Sequence, residues 1–213
     1  MGANLASLHI WTKGESLERT KEQVIAYIQA EEVKKGWQVA QEDEPCEWSL
    51  ALATVADKPW VSIYDEAGEQ GDFERLEKYA LMLSKILDTY TFIVQVYDSD
   101  ILTLHLYDKG ENIDAYNSCP DYWEGMSFAE ELTEEDLEAC KGQVEKWKKI
   151  IAPGHAVEEL RNIWDEEYGF VEEKLVKMSE LLNLSTEQIV MSYSDLGYSE
   201  ECEIVDINFK KQD

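Results

Sequence analysis

Asp98-Ser99-Asp100 directly follows the apolar run from Thr91 to Tyr97. Two carboxylates at the end of a strand can share a hard cation, because Mg²⁺ and Mn²⁺ take oxygen ligands. Asp98 and Asp100 are therefore the metal candidates. With Mg or Mn bound they would serve an enzyme acting on a phosphorylated or sugar substrate. The favoured reading of the same residues is a hairpin turn, since Asp and Ser side chains bond the nearby backbone. In so acidic a chain, acids in a loop arise readily without function.

A second cluster is Tyr116-Asn117-Ser118-Cys119-Pro120-Asp121-Tyr122-Trp123. Tyr116, Tyr122 and Trp123 offer flat amphipathic area, and Asn117 adds hydrogen bonds, a mixture used at interfaces and in ligand pockets. These four are binding candidates, with packing of the sheet against later helices as the competing role. Cys119 as a nucleophile would need a basic neighbour. His105 is the nearest histidine in the sequence. Asp98-Ser99-Asp100 with its preceding strand also resembles the D-x-D motif of metal-dependent glycosyltransferases. The resemblance implies metal binding, but no long nucleotide-binding α/β segment precedes it here and no basic residues crowd it.

The histidines are His9, His105 and His155, and no H-E-x-x-H, G-x-S-x-G or P-loop pattern is present. His9 and His105 each fall on the less apolar side of a strand, which leads us to expect a hydrogen-bonded pair across one sheet. Ser179 to Val190 has the rhythm of a helix-turn-helix, with a tight turn at Asn183. A DNA-binding regulator acting through 176–194 is thus an alternative. However, Thr186 to Ser194 holds Glu187 and neither Lys nor Arg, whereas DNA readers need cationic phosphate contacts. A structural helical corner is the expectation.

Glu158-Glu159, Asp165-Glu166 and Glu172-Glu173 recur at seven-residue steps. On one long helix these doublets would form an acidic ridge able to dock a cationic partner; as solvated surface they would do nothing further. They extend a chain-wide property. The formal charge is −27, with 22 acids against 10 bases over residues 1–120 and 24 against 9 over 121–213. Yet 44% of residues are hydrophobic, and seven Trp, eleven Tyr and five Phe are present, so the acid coats a packed core. Such a surface repels phosphate backbones and anionic lipid and favours a basic protein partner.

The N-terminus lacks a basic and an apolar segment of the secretory kind, and no apolar run approaches the ~20 residues that span a bilayer. Cys46, Cys119, Cys140 and Cys202 show no C-x-x-C spacing. A reduced, cytoplasmic protein is expected.

The elements that must position these groups follow from periodicity. Leu5 to Thr12 alternates as a strand, and Glu15 to Lys35 is helical until Gly36. Trp48–Val55 and Trp60–Tyr64 read as a hairpin around Asp57-Lys58-Pro59, followed by a polar loop. A helix starts after Asp72, its expected N-cap. Three short strands then run to Ala115 as a meander.

Thr133 with Asp136 forms a capping-box pattern opening a helix that the spacing carries to Ile151. Val157 to Leu182 makes a helical stripe that Gly169 kinks or splits. Ser185 with Gln188 opens a short helix, and Glu203 to Phe209 reads as a strand that must rejoin the sheet. The predicted fold is α+β. A mainly antiparallel sheet with two covering helices occupies 1–125, and a helical appendage over 126–213 ends in the returning strand. The function these features favour is an acidic, cytoplasmic protein-binding module for a basic partner, comparable in composition with an immunity or antitoxin-type neutraliser. No pattern designates a catalytic residue.

Overall fold

The computed structural model of the chain describes residues 2–41, 43–122 and 132–212. The expected strand β1 (Leu5–Trp11) leads into α1 (Leu17–Lys34), whose Ser16 cap accepts the Arg19 N–H at 3.2 Å. A short strand, β2 (Trp37–Val39), follows, and β3 (Trp48–Thr54) and β4 (Trp60–Asp65) form the hairpin. Helices α2 (Glu66–Glu69) and α3 (Glu74–Ile86) come next. The meander is β5 (Tyr90–Tyr97), β6 (Ile101–Asp108) and β7 (Glu111–Asn117).

The C-terminal part holds α4 (Glu134–Ala139), a 3₁₀ turn (Val144–Lys149), α5 (Val157–Asp165), α6 (Glu172–Leu182) and α7 (Thr186–Val190). A second 3₁₀ turn (Leu196–Tyr198) precedes β8 (Glu203–Lys211).

The strands form one eight-stranded sheet in the order β2-β8-β3-β4-β1-β5-β6-β7, antiparallel at every pairing. The order β3-β4-β1-β5, with α1 and α3 as crossovers, is that of a split βαβ unit. The meander extends it on one side, and the returning β8 with β2 extends it on the other. The fold is α+β.

Side-chain alternation gives the sheet two buried faces. Leu8, Ile10, Leu52, Val61 and Ile63 pack under Val24 and Ile28 of α1 and Leu76, Ala80 and Leu83 of α3. On the reverse face Phe92, Val94, Leu104 and Leu106 meet Trp147, Trp164, Leu175, Met178 and Leu182. Each such side chain fully removed from water contributes about 1.5–3 kcal/mol. The helices after residue 132 thus supply the sheet's second cover. Among the described residues no helix is long and apolar enough to cross a membrane.

Several local expectations need correction. The helix expected from Thr133 to Ile151 stops at Ala139. The capping box forms, but Gly142 turns the backbone at φ 68°, and Lys141 bridges to Tyr116 on β7. The stripe from Val157 to Leu182, by contrast, is split as expected, with Gly169 among residues 166–171 between α5 and α6. Asp72 does not cap α3, whose N-cap position is Phe73; Asp72 instead accepts the Glu74 N–H at 3.3 Å. Ser185 makes no capping bond and donates to Glu201 at 2.8 Å. Part of the loop expected from Asp65 to Gly71 is α2, and β2 lacked enough length to stand out as a strand.

His9 and His105 lie on opposite faces, because His9 stands opposite Phe92 in the register while His105 stands opposite its neighbour Ile93. A shift of one residue reverses the face.

Candidate functional site

Three segments converge at the end of β7. Tyr116, Asn117, Ser118, Pro120 and Asp121 come from β7 and the turn after it. Leu137, Glu138, Cys140, Lys141, Gly142 and Val144 come from the end of α4 and the reversal beyond, and Arg161, Trp164 and Asp165 come from the C-terminal half of α5. Between them lies a cavity of about 520 Å³.

Its floor is aromatic. Tyr116 stacks on Trp164 with ring centroids 4.3 Å apart and planes at 14°, and the Tyr116 hydroxyl donates to the Trp164 carbonyl at 3.1 Å. Burial raises the Tyr116 phenol above its ordinary range, so it remains a neutral donor. Gly142 is required against this floor. A Cβ there would lie 2.7 Å from Trp164 Cζ3, and φ is positive.

The segment after Gly142 is tied to β7 by Asp114. Its carboxylate accepts the Gln143 N–H at 2.9 Å and the Trp147 Nε1–H at 2.7 Å. Burial pushes the Asp114 carboxyl up, against the hydrogen bonds that favour its charge. On the α5 side, buried Lys174 donates to the carbonyls of Ile163, Trp164 and Glu166 at 3.1, 2.6 and 2.7 Å. An ammonium at a helix C-terminus satisfies orphan carbonyls and complements the macrodipole. It fixes the end of the helix that presents Trp164 and Asp165.

Of the sequence candidates, the cavity brings together Tyr116, Asn117 and Asp165. Asn117 is held by its N–H on the Cys140 carbonyl at 2.8 Å and by its side-chain oxygen on the Cys119 N–H at 2.9 Å. Tyr122 sits apart, edge-on to Tyr97 at 6.2 Å. Trp123 lies outside the described residues.

The acidic doublets do not form one ridge, because α5 and α6 are separate. Glu158 pairs with Arg161, and Glu159 accepts the Ala156 N–H at 2.7 Å and faces His155. Glu166 bonds Tyr168 and Lys177. Glu172 accepts the Ser99 hydroxyl at 2.5 Å, and Glu173 is exposed in the first turn of α6. Acids in a first helical turn are favoured there by the macrodipole.

Asp121, Lys141, Gly142, Arg161 and Trp164 are the site residues that sequence reading did not select. Asp121 belonged to the aromatic cluster, whereas Trp164 was one core position in a stripe.

Asp98 and Asp100 occupy the β5–β6 turn. Asp98 and Ser99 have φ of 51° and 59°, and the Asp100 N–H donates to the Tyr97 carbonyl at 3.0 Å. Asp98 Oδ1 accepts the Gly2 N–H at 2.5 Å, and Ser99 O accepts the Val171 N–H at 3.0 Å, so the turn clasps the N-terminal segment and the start of α6. Among the described residues no group of three or more His, Cys, Asp or Glu side chains is placed to hold a metal ion.

Burial and the Asp121 carboxylate raise the Cys119 thiol, the opposite of what a nucleophile needs. His105 is engaged with Asn112 at 3.1 Å. The short helix α7 buries Gln188 and Ile189 against the rest of the fold, with Gln188 Nε2 donating to Ala53 O and Ser62 Oγ.

His9 joins that second polar cluster. Its ring bonds Ser7 Oγ and Ser62 Oγ, both at 2.8 Å, and burial lowers its pKa to about 3. Ser7, His9, Ser62 and Gln188 are all fully buried. This Ser–His contact has the composition of a nucleophile and its base, but no route to solvent; it satisfies polar atoms inside the core.

No family model matches the chain, and neither a curated protein nor a solved structure does.

Proposed function

We propose that this chain is a binding protein for a basic protein partner, with the cavity at the end of β7 as the focal contact. One observation carries the reading. At this cavity both cations are already neutralised by the chain's own acids, while Asp121 and Asp165 form no ion pair among the described residues. A charge of −27 distributed over both halves of the sequence supports long-range attraction of a cationic protein.

A neutraliser of the immunity or antitoxin kind has this physical character: a packed acidic surface engaging a basic target. A cytoplasmic setting is part of the proposal and is supported by four unpaired cysteines.

The test is capture from native lysate on the immobilised full chain at low salt, followed by stepwise salt elution. The reading expects one basic protein, released in stoichiometric amount and retained poorly by a chain carrying Asp121→Asn and Asp165→Asn. An eluate without basic protein refutes it.

A further inference from the structure

We infer that the outer edge of β8, from Ile204 to Asn208, receives an extended basic segment of the partner as an added antiparallel strand. This edge is distinct from the cavity at β7, and only the basic character of its occupant rests on the reading above.

β8 has unequal neighbours. On its inner side β3 pairs with it from Glu203 to Phe209 in unbroken register. On its outer side β2 pairs only with Phe209 to Lys211, and the last outer bond runs from the Ala40 N–H to the Asn208 carbonyl at 2.8 Å. Backbone groups of successive residues in a strand point to opposite sides. Odd-numbered residues of β8 turn inward. The Phe209 carbonyl accepts the Glu47 N–H at 2.8 Å, and the Lys211 N–H donates to the Glu47 carboxylate at 3.2 Å. Even-numbered residues turn outward, as Asn208 does toward Ala40 and Gln212 toward Gly36. Ile204 and Asp206 therefore present both N–H and C=O outward, where no group among the described residues bonds them.

The opposite edge of the sheet is closed. On β7 the Asn117 N–H donates to the Cys140 carbonyl at 2.8 Å, Lys141 bridges to Tyr116, and Lys146 Nζ donates to the Ile113 carbonyl at 2.5 Å. Past Ala40, β8 has no such cover among the described residues. An open row of donors and acceptors is a template for a further strand, whose main-chain bonds supply affinity.

The side chains select the strand that fits. Residues 200–206 hold four acids and no base. Glu203 and Asp206 are exposed; Glu203 shares Lys21 with Glu18, and Asp206 forms no ion pair among the described residues. Between them Ile204 and Val205 are half-buried, one on each face of the sheet. An added strand that alternates apolar and basic side chains covers the first pair and neutralises the second. A second copy of this chain would bring its own Glu203 and Asp206 to the same seam, and like charges across a ladder destabilise it.

The test uses the full chain, labelled with ¹⁵N, at low salt, and the acetylated, amidated peptide Lys-Val-Lys-Val-Lys. Two further peptides serve as controls. Glu-Val-Glu-Val-Glu reverses the charge, and the lysine peptide methylated on its backbone nitrogens keeps the charge but loses the strand donors. In the free chain the Ile204 and Asp206 amides are expected to exchange with solvent at least about tenfold faster than those of Val205 and Ile207, which face β3. The lysine peptide is expected to bind with a dissociation constant of about 1 mM or lower. At saturation it should slow exchange at Ile204 and Asp206 about tenfold. Both control peptides should bind at least about tenfold more weakly. Asp206→Pro removes an outward donor and leaves the ladder to β3, so it should weaken the lysine peptide at least about tenfold, and Asp206→Asn should weaken it less.

Slow exchange of Ile204 and Asp206 in the free chain, equal binding of either control peptide, or no binding of the lysine peptide overturns the added strand. The peptide ratios need no variant, so an Asp206→Pro chain that fails to fold leaves the test intact. If the edge fails while a basic protein is still captured in a salt-dependent way, the binding reading survives without it. If the lysine peptide binds as described while no basic protein is captured, the edge stands and the reading above fails alone.

Discussion

Tyr116 both stacks on Trp164 and donates its hydroxyl to the Trp164 carbonyl, at a ring separation of 4.3 Å and an O···O distance of 3.1 Å. One residue of an outer strand therefore fixes both the side chain and the backbone of the last turn of α5. The adjacent Asp165 inherits that placement. Tyr116→Phe keeps the stack and removes one of the two donors on that carbonyl, leaving Lys174 at 2.6 Å, and should cost about 1 kcal/mol. Tyr116→Ala removes the ring and should cost about 3–5 kcal/mol, as large aromatic truncations do in cores. Urea unfolding of the two variants separates the contributions.

Lys174 should behave unlike its neighbour Lys177. Lys174 is buried on three carbonyls at the end of α5, and Lys177 is half-exposed beside Glu166 and Tyr168. Lys174→Met should destabilise by about 2 kcal/mol, since the carbonyls lose their donor and the helix its C-terminal charge. Lys177→Met should stay within about 1 kcal/mol. Thermal unfolding of both reads the difference.

The sheet was legible because its evidence is local. Alternation in Leu5–Trp11 and in the meander, and the turn at Asp57-Lys58-Pro59, give strands and pairing directly. The return of β8 followed from the need of a terminal strand for a partner. The helical part was less legible, because spacings of three and four continue across a break. Cys140, Val144 and Trp147 keep a helical rhythm although Gly142 reverses the chain between them. The site suffered for the same reason. Tyr116, Asn117 and Asp165 could be selected by residue type, but that they share one cavity depends on a stacking contact between residues 48 positions apart.

Acid should destabilise the protein through His9. Its folded pKa is lowered to about 3 from an ordinary 6.5, so between these values the unfolded chain binds the proton and the folded chain does not. The contribution of His9 is fully present above pH 6.5 and is lost as pH falls toward about 3, with a limiting slope of about 1.4 kcal/mol per pH unit. His9→Gln should remove that slope. Urea unfolding at several pH values, compared with the parent chain, checks it.

Mg²⁺ and Mn²⁺ should stabilise the parent chain and a chain carrying Asp98→Ala and Asp100→Ala to the same extent. The Asp98 carboxylate already accepts the Gly2 N–H, and among the described residues no third ligating side chain joins Asp98 and Asp100. The double variant itself should unfold at lower temperature, because the clasp on the N-terminal segment is lost. A metal-induced shift present only in the parent would instead establish a cation site at that turn.

The central claim is electrostatic recognition of a basic protein at the Asp121–Asp165 cavity, and the most direct measurement is the salt dependence of affinity for the captured partner, made on the parent chain and on the Asp121→Asn, Asp165→Asn chain. Raising ionic strength from about 0.01 to about 0.1 M shortens the screening length from about 30 to about 10 Å. The account predicts at least a tenfold loss of affinity across this range for the parent, and a weaker, flatter dependence for the variant. Affinity independent of salt, or identical curves for the two chains, would contradict it.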